Sequence, residues 1–222
     1  MIRDHALDLL SPTPATAPTI ETRITRAIDE TLASFPDPDV LSAEERRRII
    51  ARYTAVLEGN FIYWMTAAYL SVASTEAHAI IRNNLLEEVR DNHPGMLRRF
   101  AMAARAIPTD RDALAVSRHL HGVREFVGRL SGARIVIMMA FFEGFIQRFM
   151  PYLEDLARRQ GSSETQYTDV HGVCDVAHTQ ELFHALEAEL ALIGVPPTAA
   201  LLEGVGLLTA LLQSIVHGEE GR

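Results

Sequence analysis

From Ile20 onward, apolar residues return at three- and four-residue intervals, the spacing of one helical face. No Asn-Gly or Asp-Gly turn sits between alternating segments, so nothing reads as a strand hairpin. A first amphipathic helix is expected over residues 20–34, closed by Phe35-Pro36-Asp37-Pro38. Ser42 and Glu45 form a capping box, and a helix follows through Ile49, Ile50, Tyr53 and Leu57. Residues 61–72 are apolar on almost every face, which predicts a buried helix. Ser74 or Thr75 caps another over residues 76–90. Asp91-Asn92-His93-Pro94 then interrupts it, because the residue before proline resists helical angles.

Four further helices are expected over residues 94–106, 110–130, 133–160 and 163–193, with a Thr109/Asp112 capping box and Ser162 as the last cap. Gly194 and Pro196-Pro197 stop and restart the chain before a final helix over residues 198–217. The pattern predicts an all-α single domain of seven or eight helices over residues 20–222. Residues 1–19, rich in proline, are expected to form a flexible leader.

Composition narrows the function. Apolar residues make up 48% of the 222 and charged residues 23%, a balance that buries a sizeable core. All 21 basic residues are arginine, which excludes a Schiff-base lysine and a phosphate-loop lysine. The net charge of −8, with no basic tract, argues against nucleic acid and anionic membranes as partners. The longest wholly apolar run, Ile135 to Phe142, stops at Glu143 after eight residues, far short of the ~20 a span needs. With no signal-like N-terminus, the chain is expected to be cytoplasmic. Cys174 stands alone, so neither an internal disulfide nor a cysteine-ligated zinc or iron–sulfur site is available.

Chemistry concentrates in three places. In Asp169-Val-His-Gly-Val-Cys-Asp-Val-Ala-His178, positions i, i+4 and i+7 fall within about 60° on a helix. His171, Asp175 and His178 occupy them, and two imidazoles with a carboxylate on one face suit iron, manganese or zinc. Glu143 breaks the most apolar helix of the chain and is expected to be buried, where it must meet an arginine, take a proton or bind a metal. Gly144 beside it would let another helix or a ligand come close. Upstream, Glu87, Glu88 and His93 do not share a face on a straight helix. They converge only if the helix loosens before Pro94. Together these segments offer carboxylates and histidines from three helices, as ferritin-like di-iron bundles do, but none of the three segments holds a Glu-x-x-His pair.

The His-x-x-x-Asp-x-x-His element, a Glu on the preceding long helix, and an upstream Glu and His resemble the haem-oxygenase-like di-iron oxidases and oxygenases, over residues 58–193. The resemblance implies a seven-helix haem-oxygenase-like fold without haem, holding two Fe(II) ions that bind O₂ as a peroxo-di-iron species. It implies His93, Glu143, His171, Asp175 and His178 as ligands, with Glu143 bridging, and leaves Glu87 and Glu88 as alternatives for one more. N-oxygenating members carry an extra carboxylate on an earlier helix, and Glu58 is the position that matches. The implied activity is N-oxygenation of a small amine or amino acid, with an external electron donor. Oxidative C–C cleavage or decarboxylation of an amino acid or fatty acid is the alternative at the same site. Manganese suits one of the two positions equally well. A rival of another class is a metal-free hydrolase or scaffold of the same fold, for which only Cys174 could serve as nucleophile. Apolar faces on residues 20–34 or 198–217 leave room for a homodimer.

Overall fold

The computed structural model describes residues 18–218. Residues 1–17 of the expected leader lie outside the described residues. Nine helices and no strand are found among the described residues. In order they are α1 (Ile20–Ala33), α2 (Ala43–Ser71), α3 (Thr75–Arg90), α4 (His93–Ala103), α5 (Asp110–Val127), α6 (Gly132–Arg159), α7 (Gln166–Ile193), α8 (Thr198–Leu201) and α9 (Glu203–His217).

Both capping boxes are present, Ser42 with Glu45 and Thr109 with Asp112, and Ser74 caps α3. The sequence suggested one helix through Leu57 and another over residues 61–72, yet α2 runs unbroken through both, across Glu58-Gly59. A glycine inside a helix costs roughly 1 kcal/mol. Burial of Val56, Leu57, Phe61 and Trp64 on either side outweighs that cost. The expected final helix is instead two, because the chain turns at Leu202 between α8 and α9. At the start of α9 the backbone comes so close to α5 and α6 that a Cβ on Gly204 would lie 2.6 Å from Phe126 and 3.0 Å from Met138. Only glycine permits that approach. Ser162 does not cap α7; its hydroxyl accepts from Glu164 N, and the helix starts after Thr165.

The core is built around α6, apolar and buried on nearly all sides, which pairs most extensively with α7 and is backed by α2 and α9. Gly144 performs the role its position suggested. A Cβ there would meet Ile28 of α1 at 3.0 Å and Thr179 of α7 at 3.4 Å, so α1, α6 and α7 close together at the residue next to Glu143. An aromatic cluster of Phe35, Phe145, Phe149, Tyr53 and Tyr167 fills one end of the bundle and reaches the metal-type residues of α7. No described helix is long and apolar enough to cross a membrane.

Candidate metal centre

The stripe on α7 points inward. His171, Asp175 and His178 are all buried, and Leu182 one turn on continues the same face. Asp175 is fully enclosed. The hydrogen bonds of the two histidines fix which nitrogens stay available. His171 Nδ1 lies 2.8 Å from the Tyr167 carbonyl one turn back, leaving Nε2 free. His178 Nε2 lies 3.1 Å from Glu87 Oε2, leaving Nδ1 free. Such outer partners hold an imidazole in the orientation a metal needs.

The upstream segment converges as its proline suggested. Helix α3 ends at Arg90, Asn92 takes a left-handed backbone (φ 55°) and caps α4 through Gly95 N, and His93 opens α4. That break carries His93 back over the last turn of α3. Its Nδ1 comes within 2.8 Å of Glu88 Oε1, although the two are not aligned as a hydrogen bond. His93 and His171 then meet edge to face, with ring centroids 4.6 Å apart. Glu88 is buried, whereas the Glu87 side chain is 46% exposed and turned toward His178.

Two groups of donor atoms result. Glu88, His93 and His171 offer atoms within 4.8 Å of one another, and so do Cys174, Asp175 and His178. Glu143 lies beside the second group and within the field of the first. Its carboxylate is 4.0 Å from His178 Nδ1 and feels the Asp175 and Glu88 charges. Burial above all, then the Asp175 and Glu88 charges, holds the Glu143 carboxyl well above the usual range. Burial likewise raises Asp175. Burial lowers His171 to about 4, so its imidazole is neutral, the form that ligates.

A dry cluster of this kind is costly unless something joins it. Glu88 Oε1, His93 Nδ1, Glu143 Oε1, Asp175 Oδ2 and His178 Nδ1 are all enclosed with no hydrogen-bond partner among the described residues. Carboxylates and imidazoles left open toward a shared space are the donor set of an iron or manganese site, and the residues fit one.

Glu58 sits elsewhere. It lies on α2 beside Leu57, with its carboxylate 2.7 Å from Arg98 of α4 and its side chain 31% exposed. Leu57 lines a cavity of ≈ 20 Å³ with Phe61, Leu97 and Ile146, opening onto Glu88, His93 and His171. That is room for about one water. Cys174 is half-buried rather than enclosed, and its thiol donates to Asp175 Oδ1 at 3.1 Å. Burial first, then Asp175, pushes the thiol up, opposite to what a nucleophilic cysteine requires.

Sequence reasoning passed over the tyrosines. Tyr167 lies four residues before His171, one turn back along the same stripe, so its spacing was there to be read. Its ring packs on the His171 ring with centroids 4.2 Å apart, and its hydroxyl bonds that of Tyr53 at 2.8 Å. Three further histidines make ordinary contacts: His184 pairs with Glu76 and His121 with Glu125 at the surface, and His78 stacks on Tyr69.

Residues 49–211 match the family model of iron-containing redox enzymes, within the haem-oxygenase-like superfamily. The chain belongs to this family. That match covers most of the helices carrying the cluster and assigns the protein to iron-dependent redox chemistry on an all-α, haem-oxygenase-like fold. No match was found among curated proteins.

Proposed function

We propose that the protein is an O₂-activating, non-haem di-iron oxygenase that N-oxygenates a small amine or amino acid. The observation carrying this is the set of five enclosed, partnerless donor atoms on Glu88, His93, Glu143, Asp175 and His178. Glu88, His93 and His171 would hold one iron, and Asp175 and His178 the other, with Glu143 shared between them. Bound iron supplies the electrons that reduce dioxygen. The chain contributes the rest. The Tyr167 carbonyl and Glu87 hold the two α7 imidazoles in place, and the apolar walls of Leu57, Phe61, Leu97 and Ile146 exclude water. Glu58, near those walls on α2, supplies the extra carboxylate that favours nitrogen as the oxidised atom. Its release from Arg98 would let it turn inward.

Anaerobic loading with Fe(II), metal analysis and mixing with O₂ test the reading. The expected result is about two irons per chain, with an absorbance change on oxygen exposure. Alanine at His171, Asp175 or His178 should abolish stable loading, and variants that keep full iron content and activity would overturn it. Products separate the two chemistries: an intact carbon skeleton with oxidised nitrogen supports N-oxygenation, and a released small carbon fragment supports C–C cleavage.

The two neighbouring glutamates should separate by degree. Glu87→Ala is expected to weaken iron binding about 10–100-fold, as loss of an outer partner does. Glu88→Ala should weaken it further, and equilibrium competition with a chelator reads the order. Equal effects, or the reverse order, would move the ligand to Glu87.

A further inference from the structure

A second concavity opens where α2 and α5 begin and α9 ends. It holds ≈ 440 Å³, within the range of small-molecule sites, and shares no lining residue with the metal cluster or its cavity. Arg48, Arg52 and Arg111 line it, with Glu45, Asp112 and His217.

The carboxylates there are committed. Glu45 Oε2 accepts Ser42 N in the capping box of α2. Asp112 accepts the Thr109 N–H and hydroxyl and two bonds from Arg47. The guanidinium groups are not. Arg48 donates through Nε to Glu44, and neither of its Nη groups has a hydrogen-bond partner among the described residues. Arg111 makes no hydrogen bond or ion pair among the described residues, and it is exposed. Arg52 is the unusual one. It is only 7% exposed, and it donates Nε to Ile215 O and Nη2 to Val216 O. Asp112 attracts it without bonding it, and no carboxylate among the described residues bonds this enclosed charge.

The carbonyls at the end of α9 supply about half a negative charge. The N-termini of α2 and α5, both at the rim, supply about as much positive charge each. Three guanidinium groups with donors to spare therefore outweigh two acids already in use. We propose that this cleft binds a small oxyanion, a phosphate or carboxylate group, gripped by Arg48, Arg52 and Arg111. Planar forks of N–H donors match either group in bidentate fashion. Arg52, fixed by two carbonyls, is the preorganised base of the site, while Arg48 and Arg111 close from the rim.

This inference does not rest on iron, and its test needs none. The full chain is titrated calorimetrically with inorganic phosphate and, separately, with succinate, in a low-salt buffer free of both. Saturable binding at about 1 mM or tighter is expected for at least one anion. The double variant Arg48→Ala/Arg111→Ala should weaken it about tenfold or more, and added chloride should weaken it in the parent chain. Both side chains reach solvent, so the variant should keep its thermal midpoint, whereas Arg52 is left intact because it also caps α9. Tighter phosphate binding assigns a phosphoryl ligand, and tighter succinate binding a carboxylate ligand; either supports the site. No saturable heat with either anion, or unchanged affinity in the double variant, would overturn it.

Discussion

Glu143→Gln is expected to raise the thermal midpoint of the metal-free protein while stripping it of iron. Glu143 is enclosed on α6 beside Asp175 and within the field of Glu88, and one of its oxygens has no partner. Without a metal, this crowding of acids is a cost, and glutamine keeps the shape while removing one acid. Relief of a buried, unpaired carboxyl is worth about 1–3 kcal/mol, which at this chain length is about 2–12 °C. The same substitution removes the carboxylate offered to both donor groups, so the iron-induced rise in midpoint seen with the parent should shrink or vanish.

The pH dependence of the metal-free chain follows from the same groups. Glu143 and Asp175 keep their protons in the folded state to higher pH than in the unfolded chain, where they release them near 4.5 and 3.8. The folded state then binds more protons, and stability falls as pH rises above those values. His171 acts in the opposite direction. Its folded value of about 4 lies below the ordinary 6.5, so stability rises with pH between the two and is lost as pH falls through them. Above 6.5 the imidazole is neutral in both states and the carboxyls act alone. Calorimetric scans in chelator should show the parent losing more stability than Glu143→Gln as pH rises above about 4.5, so that the variant has the flatter profile on its alkaline side. A lower midpoint in the metal-free variant, or iron affinity equal to the parent's, would remove Glu143 from the centre.

How much of this was legible beforehand follows the physics of each segment. The α7 stripe is a matter of helical period alone, and a period survives folding: His171, Asp175, His178 and Leu182 face inward together. Glu143 was legible because a lone acid in an apolar helix has few places to go. The Glu88–His93 convergence was legible only as a condition, since a proline marks where a helix breaks but not the direction the chain takes afterward. The left-handed Asn92 set that direction. The choice between Glu87 and Glu88 lay beyond any sequence rule. Adjacent residues differ by ~100° around a helix, and which one turns inward depends on how α3 rolls against α7. The unbroken α2 was misjudged for a related reason. Glu58-Gly59 looks like a local stop, but the apolar residues on both sides, buried by α6, hold the helix together across it. The cleft of arginines was not visible at all, because its residues come from stretches more than fifty positions apart.

Another enclosed acid, Glu189, should behave in the opposite way to Glu143. It lies near the other end of α7, 2% exposed, and no arginine bonds it among the described residues. Its oxygens are nonetheless fully used. They accept Ala73 N at 2.9 and 3.1 Å and Ser74 N at 2.8 Å, where the chain passes from α2 into α3. A Cβ on Gly132 would stand 2.8 Å from the same carboxylate and 2.7 Å from Ser71 O, so the start of α6 is packed against this junction too. Glu189 thus ties α7 to the first turn of α3, the helix that carries Glu87 and Glu88. Glu189→Ala leaves a buried N–H at Ser74 without its charged acceptor and opens a void, at a cost of about 2–3 kcal/mol. The midpoint should fall by about 4–12 °C. Because Glu189 touches none of the metal-type residues, iron bound per folded chain should stay near the parent value. Glu189→Gln, which keeps one oxygen but turns an amide donor toward backbone donors, should fall between the two. If Glu189→Ala instead stabilises the metal-free chain as Glu143→Gln does, the junction is not held by this carboxylate. If it abolishes iron loading in protein that is still folded, the path from α7 to Glu88 runs through it.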